Sequence, residues 1–231
     1  MKRVIVLALA VAVLPFATHA APRRIGHTTE GRRLVATHQG DSSSSKTVLV
    51  VGCIHGNECA GKAIVHRLRH MGLPHDLELL TIRDINPDGS RAGTRQNGRG
   101  VDLNRNFSYR WRSIGEPWDT YHSGPRPFSE PESMAARDFI LEQRPDITIW
   151  YHQHMSLVVK MPRHLRVQRR YARLVGLPLT EIDKLPGTAT RWQNHRFPNH
   201  IAFVVELPGG SLTDEAADRH ARAVLAIGRM L

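Results

Sequence analysis

The stretch Thr47-Val-Leu-Val-Val-Gly-Cys-Ile-His-Gly-Asn-Glu58 gives the strongest indication of both fold and chemistry. Its first part is apolar and rich in valine, which predicts a buried strand over Thr47–Cys53. The residues His55-Gly56-Asn57-Glu58 follow at the turn into a helix, predicted over Glu58–Met71. An imidazole and a carboxylate at this spacing can bind one zinc ion. The pattern alone is weak, because His27-Thr28-Thr29-Glu30 repeats it without a preceding apolar strand.

Strand and helix patterns alternate along most of the remaining chain. We predict strands over Arg33–His38, Leu77–Arg83, Asp146–Tyr151, Leu157–Met161 and Ala202–Val205, and helices over Glu130–Gln143, Leu165–Val175 and Asp214–Leu231. This alternation indicates an α/β fold, with a mixed, mostly parallel central sheet and helices on both faces. The length of the chain suits a single domain.

Two details of the chain path are predicted as well. The strands Arg33–His38 and Thr47–Cys53 are expected to be neighbours, with the serine-rich segment Asp41–Lys46 as the hairpin tip between them. The turn Asn86-Pro-Asp-Gly89 should follow the strand Leu77–Arg83.

Two further chemical groups stand at the ends of predicted strands. His152 follows Asp146–Tyr151, and Glu206 ends an apolar run. Sites in such sheets lie at the carboxyl ends of strands, so both should approach His55 and Glu58. His55, Glu58 and His152 would then supply the three ligands of an open catalytic zinc. His154 is an alternative to His152, since alternate residues of a strand point the same way.

Glu206 is the candidate general base. Attack by a zinc-activated water requires a group that accepts its proton and passes it to the leaving amine. A carboxylate that ends four apolar residues is unlike a surface group. The alternative is a buried structural ion pair.

Several segments in fixed order together resemble the zinc carboxypeptidase (funnelin) family. They are His55–Glu58, Asn86–Gly89, Arg95–Phe107, Tyr121–Glu132, His152 and Glu206. The resemblance extends from about Ile25 to the C-terminus. It implies the zinc carboxypeptidase-like fold, one Zn²⁺ per chain, His152 as the third ligand and Glu206 as the general base.

The resemblance also assigns groups that contact the substrate. Arg95 matches the arginine that stabilises charge on the attacked carbonyl oxygen, although Arg91 and Arg99 lie close to it in sequence. Asn104 and Arg105 match the pair that holds the terminal carboxylate of the substrate, which a guanidinium does by bidentate hydrogen bonds. The alternative for that pair is a loop cap that involves Asp102.

One region departs from the digestive enzymes of the family. Those enzymes carry a lid tyrosine about twenty residues before the general base, whereas Leu177–Glu206 contains no tyrosine. The segment Pro186-Gly-Thr-Ala-Thr-Arg-Trp192 instead resembles part of the bacterial murein tripeptide amidase branch, which cleaves γ-D-glutamyl–diaminopimelate bonds. This similarity implies that Thr188 and Trp192 contact the substrate.

The sequence thus predicts a zinc-dependent peptidase or amidase, acting on a peptide or murein peptide with a free C-terminal carboxylate. A general metallocarboxypeptidase is one alternative. An acyl-amino-acid deacylase shares the His-x-x-Glu start, but Asn86–Gly89 and Ser129–Glu132 argue against it. A non-catalytic wall-binding module should have lost a ligand or the base, and neither is lost.

Residues 1–21 have the pattern of a secretory signal peptide. Met1-Lys-Arg3 is basic, Val4–Phe16 is apolar, and small residues precede cleavage after Ala20 or Ala21. The apolar stretch is too short for a membrane span. We therefore expect residues 22–231 to form the catalytic domain of an exported protein, periplasmic or extracellular, without membrane insertion.

The chain is strongly basic. Its formal charge of +11 falls to +9 when Lys2 and Arg3 leave with the signal peptide. Such a charge favours anionic partners. The basic residues, as in Arg163–Arg170, lack interleaved aromatic residues and any nucleic-acid-binding motif, so anionic cell-wall polymers are expected rather than nucleic acid. We expect a monomer.

Two cysteines, Cys53 and Cys59, flank His55 and Glu58. In an oxidising compartment they can form a disulfide, while buried thiols or additional metal ligands are the alternatives. A thiolate would displace the Glu58 carboxylate from zinc, which argues against cysteine ligands at the same ion.

Overall fold

The computed structural model describes residues 21–231, so the predicted signal peptide, apart from Ala21, lies outside the described residues. The strands are β1 Ala21–His27, β2 Arg33–Gly40, β3 Thr47–Val51, β4 Glu78–Ile82, β5 Ile147–Val159, β6 Leu179–Thr180 and β7 Ile201–Pro208. The helices are α1 Gly61–Leu68, α2 Pro87–Ala92, α3 Pro131–Gln143, α4 Leu165–Val175, α5 Ala189–Arg196 and α6 Asp214–Gly228, with a 3-10 turn at Leu103–Arg105.

These strands form one seven-stranded mixed sheet. The strands β4, β3, the first part of β5 and β7 are parallel, whereas β1 and β2 run antiparallel at one edge. The four central segments are almost continuously buried, as expected for strands covered by helices on both faces.

Strand β5 bends around β7. Its residues from Ile147 to His154 pair with Ile201 to Pro208 in ascending order, but Leu157 and Val158 then pair with Glu206 and Val205 in descending order. The chain thus reverses direction near Met155, and its two arms border β7 on opposite sides. The separate strands predicted over Asp146–Tyr151 and Leu157–Met161 correspond to these two arms.

The prediction that β2 and β3 are neighbours was wrong. Strand β4 lies between them, antiparallel to β2 and parallel to β3. The segment Asp41–Lys46 is therefore a connection across the end of β4 and not a hairpin tip. Strands β2 and β3 each form their backbone hydrogen bonds with β4, and such long-range pairing cannot be read from the local sequence.

Two helices begin later than their sequence patterns predict. Helix α1 starts at Gly61 instead of Glu58, because residues 55–60 form an irregular loop. Helix α3 has Glu130 as its N-cap, while the Ser129 hydroxyl donates to the Glu130 carboxylate. The predicted turn at Asn86–Gly89 is the start of the short helix α2, which the Asn86 side chain caps through the Gly89 N–H.

The core has two parts, one on each face of the sheet. Val48 and Val50 of β3 face helices α1, α4 and α6, whereas Leu49 and Val51 face helices α3 and α5. This alternation follows from the two-residue repeat of a strand. No helix in residues 21–231 is long and apolar enough to cross a bilayer.

Candidate metal centre and substrate cavity

Three side chains converge at one end of the central strands. His55 and Glu58 belong to the loop between β3 and α1, and His152 lies on β5 two residues beyond its last pairing with β3. The His55 Nδ1 is 2.8 Å from Glu58 Oε2, and the His152 Nδ1 is 3.1 Å from both of these atoms. Both imidazoles are buried, and the three atoms form a compact set at the cavity.

This set fits a tetrahedral zinc ion. Two imidazole nitrogens and one carboxylate oxygen lie within 2.8–3.1 Å of one another, and this donor set is the one that would hold a catalytic zinc through three protein ligands. His154, the alternative ligand, is exposed on the cavity wall and is not part of the set.

Asp102 fixes the orientation of His55. Its Oδ1 accepts from His55 Nε2 at 3.0 Å and from the Asn104 N–H at 2.8 Å. With its Nε2 proton engaged in this way, the neutral imidazole directs its Nδ1 lone pair toward Glu58 and His152. From the sequence Asp102 was expected only as a loop cap. The signal for its second role is an aspartate between the apolar residues Val101 and Leu103, two residues before Asn104.

The ionisation states suit cation binding. Burial lowers the pKa of His152 to about 4, which keeps the imidazole neutral. Burial would raise the pKa of Glu58, but hydrogen bonds to His152 and His55 outweigh it and hold the pKa far below its usual range. For His55, burial lowers the pKa, while the neighbouring Asp102 and Glu58 carboxylates shift the net result upward. A neutral imidazole and an ionised carboxylate thus meet a second imidazole, His55, which would give up a proton when a cation binds at its Nδ1.

Glu206 lies beside this set. It pairs in register with His152 across β5 and β7, and with Leu157 on the other side. Its Oε2 is buried and has no hydrogen-bond partner within residues 21–231. Burial, followed by the nearby Glu58 charge, raises the pKa of the Glu206 carboxyl. Such a group can accept and release a proton. Glu206 forms no salt bridge with a described residue, and the Arg95 guanidinium is paired with Glu58 and Asp102, so the alternative of a structural ion pair is not realised in residues 21–231.

Arg95 is anchored by two carboxylates of the site. Its Nη1 donates to Glu58 Oε1 at 2.7 Å and its Nε donates to Asp102 Oδ2 at 3.0 Å. The alternatives Arg91 and Arg99 are exposed and do not line the cavity. The guanidinium of Arg95 is therefore the one held next to the proposed ligands.

Asn104 and Arg105 lie deeper in the same cavity. The Arg105 Nη1 donates to the Asn104 carbonyl at 2.7 Å, but the buried Arg105 Nε has no partner among the described residues. The Asn104 Oδ1 accepts from the Ala189 N–H at 3.0 Å. The loop-cap alternative is also realised, since Asp102 caps this turn. Burial lowers the pKa of Arg105, which indicates that its charge is incompletely compensated.

Tyr121 is a cavity residue that the sequence analysis did not identify. Its ring lies 4.8 Å from the Arg105 guanidinium and 5.6 Å from that of Arg95. Leu177–Glu206 contains no tyrosine, whereas Tyr121 comes from a loop far earlier in the chain. The tyrosine ring beside Arg95 and Arg105 therefore comes from a different segment than the one that carries the lid tyrosine of the digestive enzymes.

The two residues of the Pro186–Trp192 segment occupy different environments. Thr188 lines the cavity, and its buried Oγ1 has no partner among the described residues. Trp192 does not line the cavity and packs against Phe107 and Phe128 in the core. Its predicted contact with the substrate is corrected accordingly, because the indole faces the core under α5.

All of these cavity groups share one space of about 930 Å³. Its wall also contains Tyr109, Arg110, Glu181, Asp183, Arg191 and His195. Such a volume suits a small ligand of several residues at most.

Cys53 and Cys59 form a disulfide across the ligand loop, with their Cα atoms 4.8 Å apart. The two alternatives, buried free thiols and thiolate ligands of the metal, are therefore not realised in this structure. The Ser90 hydroxyl lies 3.4 Å from the Cys53 sulfur and 3.1 Å from the Cys59 sulfur.

Comparison with known proteins agrees with this geometry. Residues 17–168 match the zinc carboxypeptidase family. Murein peptide amidase A of Escherichia coli K12 is 32% identical over 203 residues, which cover 82% of this chain and 75% of the relative.

Solved structures show the same fold. A murein-tripeptide amidase from Escherichia coli O157 superposes with a TM-score of 0.74 at 27% identity, covering 94% of this chain and 96% of that chain. Carboxypeptidase A from Helicoverpa armigera has a TM-score of 0.78 at 19% identity, covering 93% and 69%. The predicted single-domain α/β fold, enzyme class and cofactor are thus confirmed. The chain belongs to the zinc carboxypeptidase family, whose members are hydrolases that use one catalytic Zn²⁺.

Proposed function

We propose that this protein is an exported zinc hydrolase that cleaves the γ-D-glutamyl–diaminopimelate bond of murein peptides. The observation that carries the proposal is the buried Arg105 Nε without a partner among the described residues, in the same cavity as His55, Glu58, His152 and Glu206. A free carboxylate at the end of a substrate would satisfy this guanidinium. Similarity to a murein peptide amidase supports the choice of bond.

Each residue has a distinct role in this reaction. His55, Glu58 and His152 hold the zinc, which supplies a Lewis acid and a bound water of lowered pKa. Glu206 accepts the proton of the attacking water and donates it to the leaving amine, since its carboxyl is buried and its pKa is raised. Arg95 stabilises the negative charge that develops on the attacked carbonyl oxygen.

The cavity wall carries charged groups that could pair with the two charged groups at the end of a diaminopimelate side chain. The guanidinium groups of Arg110 and Arg191 each lie 5.6 Å from the Tyr109 ring centre. Neither forms a salt bridge with a described residue, and the charge of Arg110 is among the causes that lower the pKa of Arg191, after burial. A carboxylate would relieve this repulsion.

The same wall also carries carboxylates. Glu181 and Asp183 line it, and Glu181 is paired with Lys160 at 2.8 Å. Diaminopimelate ends in both an ammonium and a carboxylate group, so both signs of charge on the wall have a counterpart. A general carboxypeptidase that prefers lysine is the second candidate, because it would use the carboxylates alone.

Murein tripeptides that end in diaminopimelate or lysine distinguish the two candidates. We expect kcat/KM to be at least about tenfold higher for the diaminopimelate peptide, because a carboxylate fills the Arg110–Arg191 site. The preference should shrink in Arg191→Met. Arg173→Met, an exposed arginine of α4, serves as the control and should keep it. A preference for lysine in the wild type would support the general carboxypeptidase instead.

Amidation of the terminal carboxylate tests the role of Arg105. It should cost about 2–5 kcal/mol of transition-state binding, because the buried guanidinium loses its charged partner. In Arg105→Ala the penalty should largely disappear. Equal cleavage of free and amidated substrates would identify an endopeptidase or a deacylase.

Export and wall association belong to the same proposal. Residues 1–21 would direct the chain out of the cytoplasm, and the remaining charge of +9 would attract anionic wall polymers. N-terminal sequencing of the chain from the periplasm or medium should begin at Ala21 or Pro22. An uncleaved chain recovered from the cytoplasm would contradict export.

A further inference from the structure

The disulfide encloses two of the three proposed zinc ligands. Cys53 and Cys59 are six positions apart, and His55 and Glu58 lie between them. The third ligand, His152, is part of a central strand that is held by pairing on both sides. The ligands therefore differ in how they are supported: one is fixed by the sheet and two belong to an irregular loop.

Asp102 and Arg95 hold the side chains of His55 and Glu58, but few hydrogen bonds hold the backbone of this loop. Glu58 N–H donates to the His55 carbonyl at 2.9 Å, but helical hydrogen bonding starts only with α1. At the flanks, Asn86 donates to the Ile54 carbonyl at 3.1 Å and the Ala60 N–H donates to Gln153 Oε1 at 2.9 Å. The disulfide is the covalent link between the two flanks.

The position of the disulfide indicates that it restrains the ligand loop more than it stabilises the whole domain. Loop-closure stabilisation of a folded protein increases with the length of the enclosed chain, and this loop is very short. The loop also has little room to move on one side, since a Cβ added at Gly56 would lie 2.0 Å from the Gly89 backbone. Cross-linking the two ends therefore restricts the directions in which His55 and Glu58 can point.

We propose that the Cys53–Cys59 disulfide is a positioning element of the metal centre that keeps His55 and Glu58 in their zinc-binding geometry. The inference rests on the proposed ligation of zinc by these residues. Without the cross-link the fold remains, and zinc is released faster because two ligands fluctuate away from the third. Outer-shell supports of this kind typically change metal affinity about 10- to 100-fold.

Zinc release measures this directly. The zinc-loaded protein and Cys53→Val/Cys59→Ala, which keeps the buried apolar volume, are mixed with a chromogenic chelator, and release rates are compared. We expect release about 10- to 100-fold faster in the variant, with an unchanged far-UV circular dichroism spectrum. Release within about twofold of wild type would overturn the proposal.

Val175→Ala in α4 provides the matched control. It removes buried volume in a segment remote in sequence from the ligand loop and lowers the unfolding temperature without changing the cysteines. Its zinc release should equal that of wild type. Faster release in this control would show that release follows global stability, and the local role would be wrong.

Reduction of the wild-type protein is a second route, independent of folding of the variant. A phosphine reductant converts the disulfide to two thiols while it is oxidised to the phosphine oxide with oxygen from water, and alkylation followed by mass spectrometry counts the thiols. If neither the variant nor the reduced chain folds, the disulfide supports the whole domain and the proposal is overturned. A wild-type chain that binds no zinc, or whose zinc is unaffected by His152→Ala, would instead refute the proposed metal site.

Discussion

Asp102 offers a sharp test of how the site is organised, because its two carboxylate oxygens serve different partners. Oδ1 accepts from His55 Nε2 and from the Asn104 N–H, whereas Oδ2 accepts from Arg95 Nε. In Asp102→Asn the amide oxygen can replace Oδ1 and keep both of its bonds. The amide NH₂ group then faces the Arg95 N–H, so that one hydrogen bond and the negative charge are lost.

The two substitutions at Asp102 should therefore have graded effects. Asp102→Asn keeps the orientation of His55 but lowers its basicity, and zinc affinity should fall about tenfold, or about 1.4 kcal/mol. Asp102→Ala also frees the imidazole to rotate, and the loss should approach about 100-fold. In Asp102→Asn, kcat/KM measured at saturating zinc should still be reduced, because Arg95 retains only its bond to Glu58.

Competition with a zinc-chelating dye measures these affinities, and turnover is then assayed with zinc in excess. Asp138→Asn is the control, since Asp138 is an exposed aspartate whose side chain bonds only its neighbour Arg137 within residues 21–231. It should change neither quantity. Unaltered zinc affinity in Asp102→Ala would refute the idea that this carboxylate orients His55.

Two further predictions concern proton transfer and acid stability. Glu206→Gln should retain zinc and fold while turnover falls about 10²- to 10⁴-fold; unchanged turnover would exclude Glu206 as the base. His220 is buried against Tyr171, and burial lowers its pKa to about 4, below the value of about 6.5 in the unfolded chain. The neutral state of His220 makes its full contribution to the unfolding free energy above pH 6.5. As the pH falls toward 4, up to about 3 kcal/mol of unfolding free energy is lost, because the unfolded state takes up the proton first. His220→Gln should flatten the decline in unfolding free energy over this window; an equally steep decline would contradict it.

The sequence predicts those parts of the site that depend on local patterns. The valine-rich strand before His55 and Glu58 shows from the local sequence alone where the strand ends and the ligand loop begins. His152 and Glu206 also follow predicted strands, and the carboxyl ends of parallel strands lie at the same edge of the sheet. The two arms of β5 were also predicted as separate strands, because each arm is a short apolar run of its own.

Other features depend on contacts between distant segments, which one sequence does not encode locally. The insertion of β4 between β2 and β3 is a matter of long-range pairing. Asp102 is 47 positions from His55, and Tyr121 reaches the cavity from a loop that lies far before Leu177–Glu206 in the chain. Trp192 illustrates the opposite error, since a motif suggested substrate contact where the indole fills the core against Phe107.

Crystals of the zinc-loaded protein, measured at the zinc absorption edge, would locate the metal and its ligands. We expect one anomalous peak per chain, about 2.0–2.2 Å from His55 Nδ1, a Glu58 carboxylate oxygen and His152 Nδ1. The peak should disappear in His152→Ala and persist in His154→Ala. A peak coordinated by His154, or one retained in His152→Ala, would show that zinc is not bound by His55, Glu58 and His152.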